Sequence, residues 1–264
     1  MKKNDNYPGQ EHTPKLSIVI PAYNENQNIP LVLKRYAEVI GNLNAELIIV
    51  NNGSTDDSQE ILDKELKKKE YAFAKTIHVP KNIGYGYGIT AGLQEARGEI
   101  IAYSHADLQC DPLDVIRGYE LMSQKENPEG YFVKGKRRER KIVPQLLTSC
   151  FQVITSTLFL KYFNEINAQP KVFHRELLER SKCIPLDFNL DFYFFYKAKK
   201  EKKKILSLPV DYVDRKYGES KWAFSHLSKL KTIGTFLRYI FLLRIVGEKR
   251  AFNYLFKNTT ENDS

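Results

Sequence analysis

Four short apolar runs punctuate the first hundred residues: Leu16–Ile20 (LSIVI), Glu46–Val50 (ELIIV), residues 74–79 and Glu99–Tyr103 (EIIAY). Runs of this length, rich in β-branched residues, are expected of strands buried on both faces of a parallel sheet. Helical patterns lie between them. Asn28 is a candidate N-cap for the first, with Pro30 near the first helical position; the second runs near Ser58–Glu70 after the turn cluster NNGSTDDS, and the third ends near Gly98. This alternation predicts right-handed βαβ units and an α/β fold whose mainly parallel sheet carries helices on both faces. Ligands bind such sheets beyond the carboxyl ends of the strands. The residues placed there are Pro21-Ala22-Tyr23-Asn24-Glu25, Asn51-Asn52-Gly53-Ser54 and Ser104-His105-Ala106-Asp107-Leu108-Gln109, all three able to line one cleft.

The second half is less regular. Residues 142–160 form an uncharged stretch, but seven of the nineteen are Gln, Ser or Thr and one is Pro, so a buried or interface helix is expected rather than a membrane span. Residues 222–246 combine Trp222 with aliphatic residues and the cations Lys229, Lys231, Arg238 and Arg244. Leu227, Leu230, Ile233, Leu237 and Ile240 or Phe241 recur at helical spacing. That pattern suits an amphipathic helix in a membrane interface, and equally a core helix with a solvated face. Residues 215–257 hold ten Lys or Arg against two Glu, which is nearly all of the chain's net charge of +9. Such a block fits an anionic membrane, a phosphorylated substrate or nucleic acid, but no nucleic-acid reader motif accompanies it, so nucleic acid is not expected. The three cysteines are widely spaced and form no C-x-x-C pair, which argues against a disulfide framework or a zinc site and for a reducing compartment. The first residues, MKKNDNYPGQEHTPK, hold no apolar segment, so no signal peptide is expected there.

In order along the chain, IVIPAYNENQNI, IIVNNGSTDDS, NIGYGYG, HADLQ, GKR, LDFYF and RKYGESKW resemble the family-2 inverting glycosyltransferases, above all the branch of dolichyl-phosphate mannose synthase and the bacterial polyprenyl-phosphate sugar transferases. The resemblance spans roughly residues 16–225. It implies a GT-A fold, a nucleotide-sugar donor, and a divalent metal, Mn²⁺ or Mg²⁺, on the donor diphosphate. By that resemblance Asp107 is the metal-binding aspartate and Gln109 the neighbouring oxygen ligand. Alternation along an extended segment would set 105, 107 and 109 on one side. His105 stands where many relatives carry Asp and is a candidate nitrogen ligand, ribose contact or neighbour of the ligands. Pro21, Ala22, Tyr23 and Glu25 match the nucleotide-binding edge, together with Ala106, and Asn52 a base-contacting position that is usually Asp. Arg137, Arg215, Ser220 and Lys221 match the basic residues around the donor diphosphate and acceptor phosphate, and Asp191 the acceptor-side acid, with Asp187 as its neighbouring competitor.

Gly84-Tyr85-Gly86-Tyr87-Gly88 is not the dinucleotide fingerprint, because its spacing differs and it does not follow the first strand. Its glycines, Gly84 first, are expected to let the backbone approach the donor diphosphate. The resulting expectation is a metal-dependent hexosyltransferase, peripheral on the cytoplasmic face of a membrane, that moves sugar from a UDP- or GDP-sugar to a lipid-linked acceptor, polyprenyl phosphate above a glycan hydroxyl. A non-catalytic nucleotide-sugar-binding protein is the rival, because Asn51, Asn52 and His105 replace family carboxylates. The expected organisation is a disordered tail at 1–14, a GT-A domain at 15–221, a basic amphipathic helical segment at 222–257 and a second disordered tail at 258–264.

Overall fold

The computed structural model describes residues 13–138, 142–217 and 226–261. The four expected strands form as β1 (Leu16–Ala22), β2 (Ala45–Asn52), β3 (Ala74–Val79) and β4 (Ile100–Tyr103), all parallel. Three further strands, β5 (Tyr131–Arg137), β6 (Lys171–His174) and β7 (Lys204–Val210), complete a seven-stranded sheet in the order β3-β2-β1-β4-β6-β5-β7. Only β6 runs against its neighbours β4 and β5, while β7 pairs parallel to β5.

Side-chain alternation sends the strand residues into two cores. Ile18, Ile20, Leu47 and Ile49 pack under α1 (Ile29–Ile40), α2 (Ser58–Glu65) and α4 (Pro112–Ser123). Val19, Ile48 and Val50 face the other way, towards α3 (Tyr85–Glu95), α5 (Ile142–Phe159) and α7 (Leu190–Lys200), with the short α6 (Arg175–Glu179) at the margin. A strand that feeds both cores is apolar on both faces through its middle, which is why Ile18–Ile20 and Leu47–Val50 read as continuous runs.

The helices depart from expectation in detail. α2 ends at Glu65 and a separate 3₁₀ turn, Lys69–Tyr71, follows. Asn28 occupies the N-cap position of α1 but its side chain makes no cap bond; it donates instead to Glu25 Oε2 at 2.5 Å and to the Tyr217 carbonyl at 3.4 Å. The expected C-terminal helical segment is present as two helices, α8 (His226–Val246) and α9 (Glu248–Glu261), parted by Gly247 at φ 81°. Tyr239, Ile240, Leu243 and Phe256 join the core above α7, and Glu248 pairs with Lys197 and Lys200 of α7 at 3.6 and 2.6 Å. Phe241 and Ile245 point outward. No helix among the described residues is long and apolar enough to cross a membrane.

Candidate active site

The loops after β1, β2 and β4 meet at one edge of the sheet. The first two are tied together: Asn24, in left-handed backbone at φ 55°, donates its N–H to Ser54 Oγ at 3.0 Å, while its Oδ1 accepts from the Thr55 N–H at 2.8 Å. The Glu25 N–H donates to Ser58 Oγ at 3.1 Å. Pro21 and Ala22 end β1 opposite Val50 and Asn51, so they fix the height at which Tyr23 and Glu25 leave the sheet. Asn51 is absorbed internally, donating to Gln59 and accepting from the Ser54 N–H. Asn52 is buried; its amide donates to the Gly84 carbonyl at 3.0 Å, and its Oδ1 is left without a partner.

The loop after β4 is not extended. Residues 106–110 turn, with Leu108 at φ 55°, so the expected strand-like alternation of 105, 107 and 109 does not occur. The turn nevertheless brings Asp107 and Gln109 onto a common partner. Arg215 places Nη2 2.7 Å from Asp107 Oδ2, Nε 3.4 Å from Gln109 Oε1 and Nη1 3.7 Å from Glu25 Oε1. Gln109 also accepts from Tyr212 Oη at 2.9 Å, and it trades two hydrogen bonds with the Val213 backbone. Residues 211–217 therefore lie as a strap across the site. Arg137 rests against the Tyr212 ring, with its guanidinium carbon 5.2 Å from the centroid, and pairs with Glu165 at 3.1 Å. Burial raises the pKa of Glu25, while Asn28 and Arg215 oppose that rise; burial and the nearby Asp107 likewise raise the Tyr212 phenol. Ser220 and Lys221 lie outside the described residues.

The imidazole of His105 packs against Tyr85 at 5.6 Å, and Tyr85 stacks on Phe188 at 5.2 Å. The glycine-spaced segment serves the chain's own packing: a Cβ at Gly86 would collide with the Pro185 carbonyl, and one at Gly84 with that of Leu186. The residues that precede α7 thus sit directly against the start of α3. Asp187 is a turn residue, as its surroundings imply, with Oδ1 accepting from the Asn189 backbone at 3.0 Å and from its amide at 2.8 Å. Asp191, one turn further, is buried and accepts at Oδ1 from Tyr103 Oη and Gln169 Nε2, both at 2.9 Å. Tyr85, Tyr103, Gln169, Lys171 and Tyr212 escaped sequence reading; Tyr85 alone had a visible signal, an aromatic inside a glycine-spaced segment beside the cleft.

The donor set fits a hard divalent cation. Asp107 and Gln109 offer a carboxylate and an amide oxygen, and no group of three or more His, Cys, Asp or Glu suited to a metal occurs among the described residues. A cation here would take its other ligands from water and from the phosphates of a bound nucleotide, which is how Mg²⁺ is usually held.

Residues 17–182 match the family described as Glycosyl transferase family 2. Among curated relatives, the undecaprenyl-phosphate 4-deoxy-4-formamido-L-arabinose transferase of Photorhabdus laumondii subsp. laumondii is 29% identical over 232 residues, covering 83% of this chain and 66% of that protein. The chain thus spans just under two thirds of that relative's length. Among solved structures, glucosyl-3-phosphoglycerate synthase from Mycobacterium tuberculosis with Mn²⁺, uridine diphosphate and phosphoglyceric acid superposes with a TM-score of 0.68 at 19% identity, over 88% of this chain and 78% of that one. The same enzyme with Mg²⁺ and uridine diphosphate gives 0.67 at 18% identity, over 88% and 79%. At such identity these structures speak for the fold alone, and it is the GT-A fold. With the family matched over most of its length and the sheet edge built as that fold requires, the chain belongs to glycosyl transferase family 2.

Proposed function

We propose that this glycosyltransferase moves a sugar, with inversion, from a UDP- or GDP-sugar to a polyprenyl phosphate, working peripherally at the cytoplasmic face of a membrane. The observation that carries the reading is the convergence of Asp107, Gln109 and Glu25 on the guanidinium of Arg215; in addition, the buried Oδ1 of Asn52 has no hydrogen-bond partner among the described residues. The acceptor class is taken from the relative named for undecaprenyl phosphate.

Asn52 retains an acceptor for a ring N–H of uracil or guanine. Asp107 and Gln109 would hold Mn²⁺ or Mg²⁺, whose charge offsets that of the departing nucleoside diphosphate. Arg215 pairs with carboxylates in the resting site and exchanges them for phosphate oxygens when donor enters, a role suited to its planar fork. By the family resemblance Arg137, Ser220 and Lys221 would also bind phosphate. Asp191 serves the acceptor side. A second reading, transfer to a sugar hydroxyl, is favoured by one feature: both hydrogen bonds to Asp191 fall on Oδ1, which leaves Oδ2 able to take a proton.

The test is to incubate the full chain with UDP- and GDP-sugars and Mn²⁺ or Mg²⁺, with and without undecaprenyl phosphate, and to measure nucleoside diphosphate release. Release that needs both lipid and cation, and that is lost in Asp107→Ala, is expected. Full release in EDTA would remove the metal assignment, and release indifferent to the lipid would remove the acceptor.

A further inference from the structure

Two lysines lie wholly buried in the sheet, Lys134 on β5 and Lys171 on β6, paired directly across the strands. A buried ammonium is costly unless it is paired and hydrogen-bonded. Lys171 meets both conditions: Nζ donates to the Ala168 carbonyl at 2.7 Å and lies 3.7 Å from Asp191 Oδ1. Lys134 meets neither well; its one hydrogen bond is a 3.4 Å contact to the Gly135 carbonyl, and burial together with the charge of Lys171 lowers its pKa to about 7. Burial lowers the pKa of Lys171 as well, and there Asp191 opposes the fall.

The same oxygen of Asp191 receives Tyr103 and Gln169, and among the described residues no donor reaches Oδ2. Gln169 is itself held in place. Its amide donates also to Tyr85 Oη at 3.2 Å, and its backbone carbonyl lies so close to Gly135 that a Cβ there would collide with it. Turning that amide over would set its oxygen against the carboxylate. The charged and titratable groups around the pair are Tyr103 and Tyr85 beside Asp191, and Lys134, Arg137 and Cys110 beside Lys171.

We infer that Lys171 is a positioning residue for Asp191: its buried Nζ, 3.7 Å from Oδ1, is the counter-charge of that carboxylate while Tyr103 and Gln169 hold Oδ1, so that Oδ2 is the oxygen presented to the acceptor. This rests on the reading of Asp191 as the acceptor-side acid. A lysine that merely filled the core would leave the protonation of Asp191 unchanged when replaced by an apolar side chain of equal length.

The experiment is a pH titration of the full chain labelled with ¹³C at the aspartate side-chain carboxyls, with the Asp191 signal assigned by its loss in Asp191→Asn. In Lys171→Met that signal should respond to protonation at least one pH unit higher than in the parent, a tenfold gain in proton affinity. Lys171→Gln, which can still donate to the Ala168 carbonyl, should show the same displacement. A signal that responds at the same pH in the parent and in either folded variant overturns the inference. Should neither single variant fold, Lys171→Met combined with Asp191→Asn removes both charges and must regain the fold; a double variant as unfolded as the single ones also overturns it. The acceptor-side reading fails separately, if Asp191→Asn transfers sugar like the parent to every acceptor.

Discussion

Replacing Arg215 by alanine removes the one cation that bridges Asp107, Gln109 and Glu25. Its bond to Asp107 Oδ2, at 2.7 Å on a carboxylate only 4% exposed, is charge-assisted and worth about 1.5–3 kcal/mol. The 3.7 Å approach to Glu25 adds less, and the side-chain freedom regained on truncation returns roughly 1–2 kcal/mol. A net loss of about 1 kcal/mol is expected, equivalent to a Tm lower by roughly 2–4 °C for a chain of this size. The sign with pH follows from the carboxylates. Burial raises the pKa of Glu25 and Arg215 opposes that rise, so the part of the deficit owed to Glu25 is present near neutrality and is lost as pH falls through its raised pKa. Thermal unfolding of parent and Arg215→Ala at pH 7 and pH 4 measures both effects. Equal Tm values at pH 7, or a deficit that does not shrink on acidification, would refute the view of Arg215 as counter-ion of this cluster.

Three further outcomes are expected. Asp191→Asn should lose about 10²- to 10⁴-fold in rate on a sugar hydroxyl, which must give up a proton, yet keep appreciable activity on a polyprenyl phosphate already ionised near neutral pH; initial rates on the two acceptors decide this, with the fold checked by circular dichroism. Glu46 is buried, but bonds from Ser17 Oγ, the Arg97 N–H and Lys75 outweigh that burial and lower its pKa, so it contributes stability above the ordinary carboxylate pKa that is lost as pH falls through its depressed one. Glu46→Gln should therefore melt below the parent at pH 7 and approach it in acid, as read by calorimetry. The full chain should sediment with anionic liposomes at low salt and be released as salt rises, since residues 215–257 carry most of the net positive charge; protein that stays in the supernatant at low salt would contradict a peripheral membrane role.

The sheet was legible where its chemistry was simple. β1 and β2 are buried on both faces and therefore apolar at nearly every position. β5 and β6 escaped notice because each carries a wholly buried lysine, Lys134 and Lys171, which breaks the apolar signature although the backbone pairs normally. β7 is an edge strand with all but one of its residues at least partly in contact with solvent, and reads as amphipathic coil. At the site, motif order pointed to Asp107, Gln109, Arg215 and Asp191, but the partners of Asp191 come from β4, β6 and a residue two before β6, far apart in sequence. No local pattern announces such a meeting, since it is created by the sheet order that sets β6 beside β4.

The central claim is inverting transfer from a nucleotide sugar to a polyprenyl phosphate, and the product itself is its most direct measure. After incubation of the full chain with the donor that it turns over, Mn²⁺ and undecaprenyl phosphate, the lipid fraction should contain a glycosyl phospholipid whose anomeric configuration, read by ¹H NMR, is opposite to that of the donor. A product of retained configuration, or sugar found only on a hydroxyl acceptor while the lipid phosphate is returned unchanged, would contradict it.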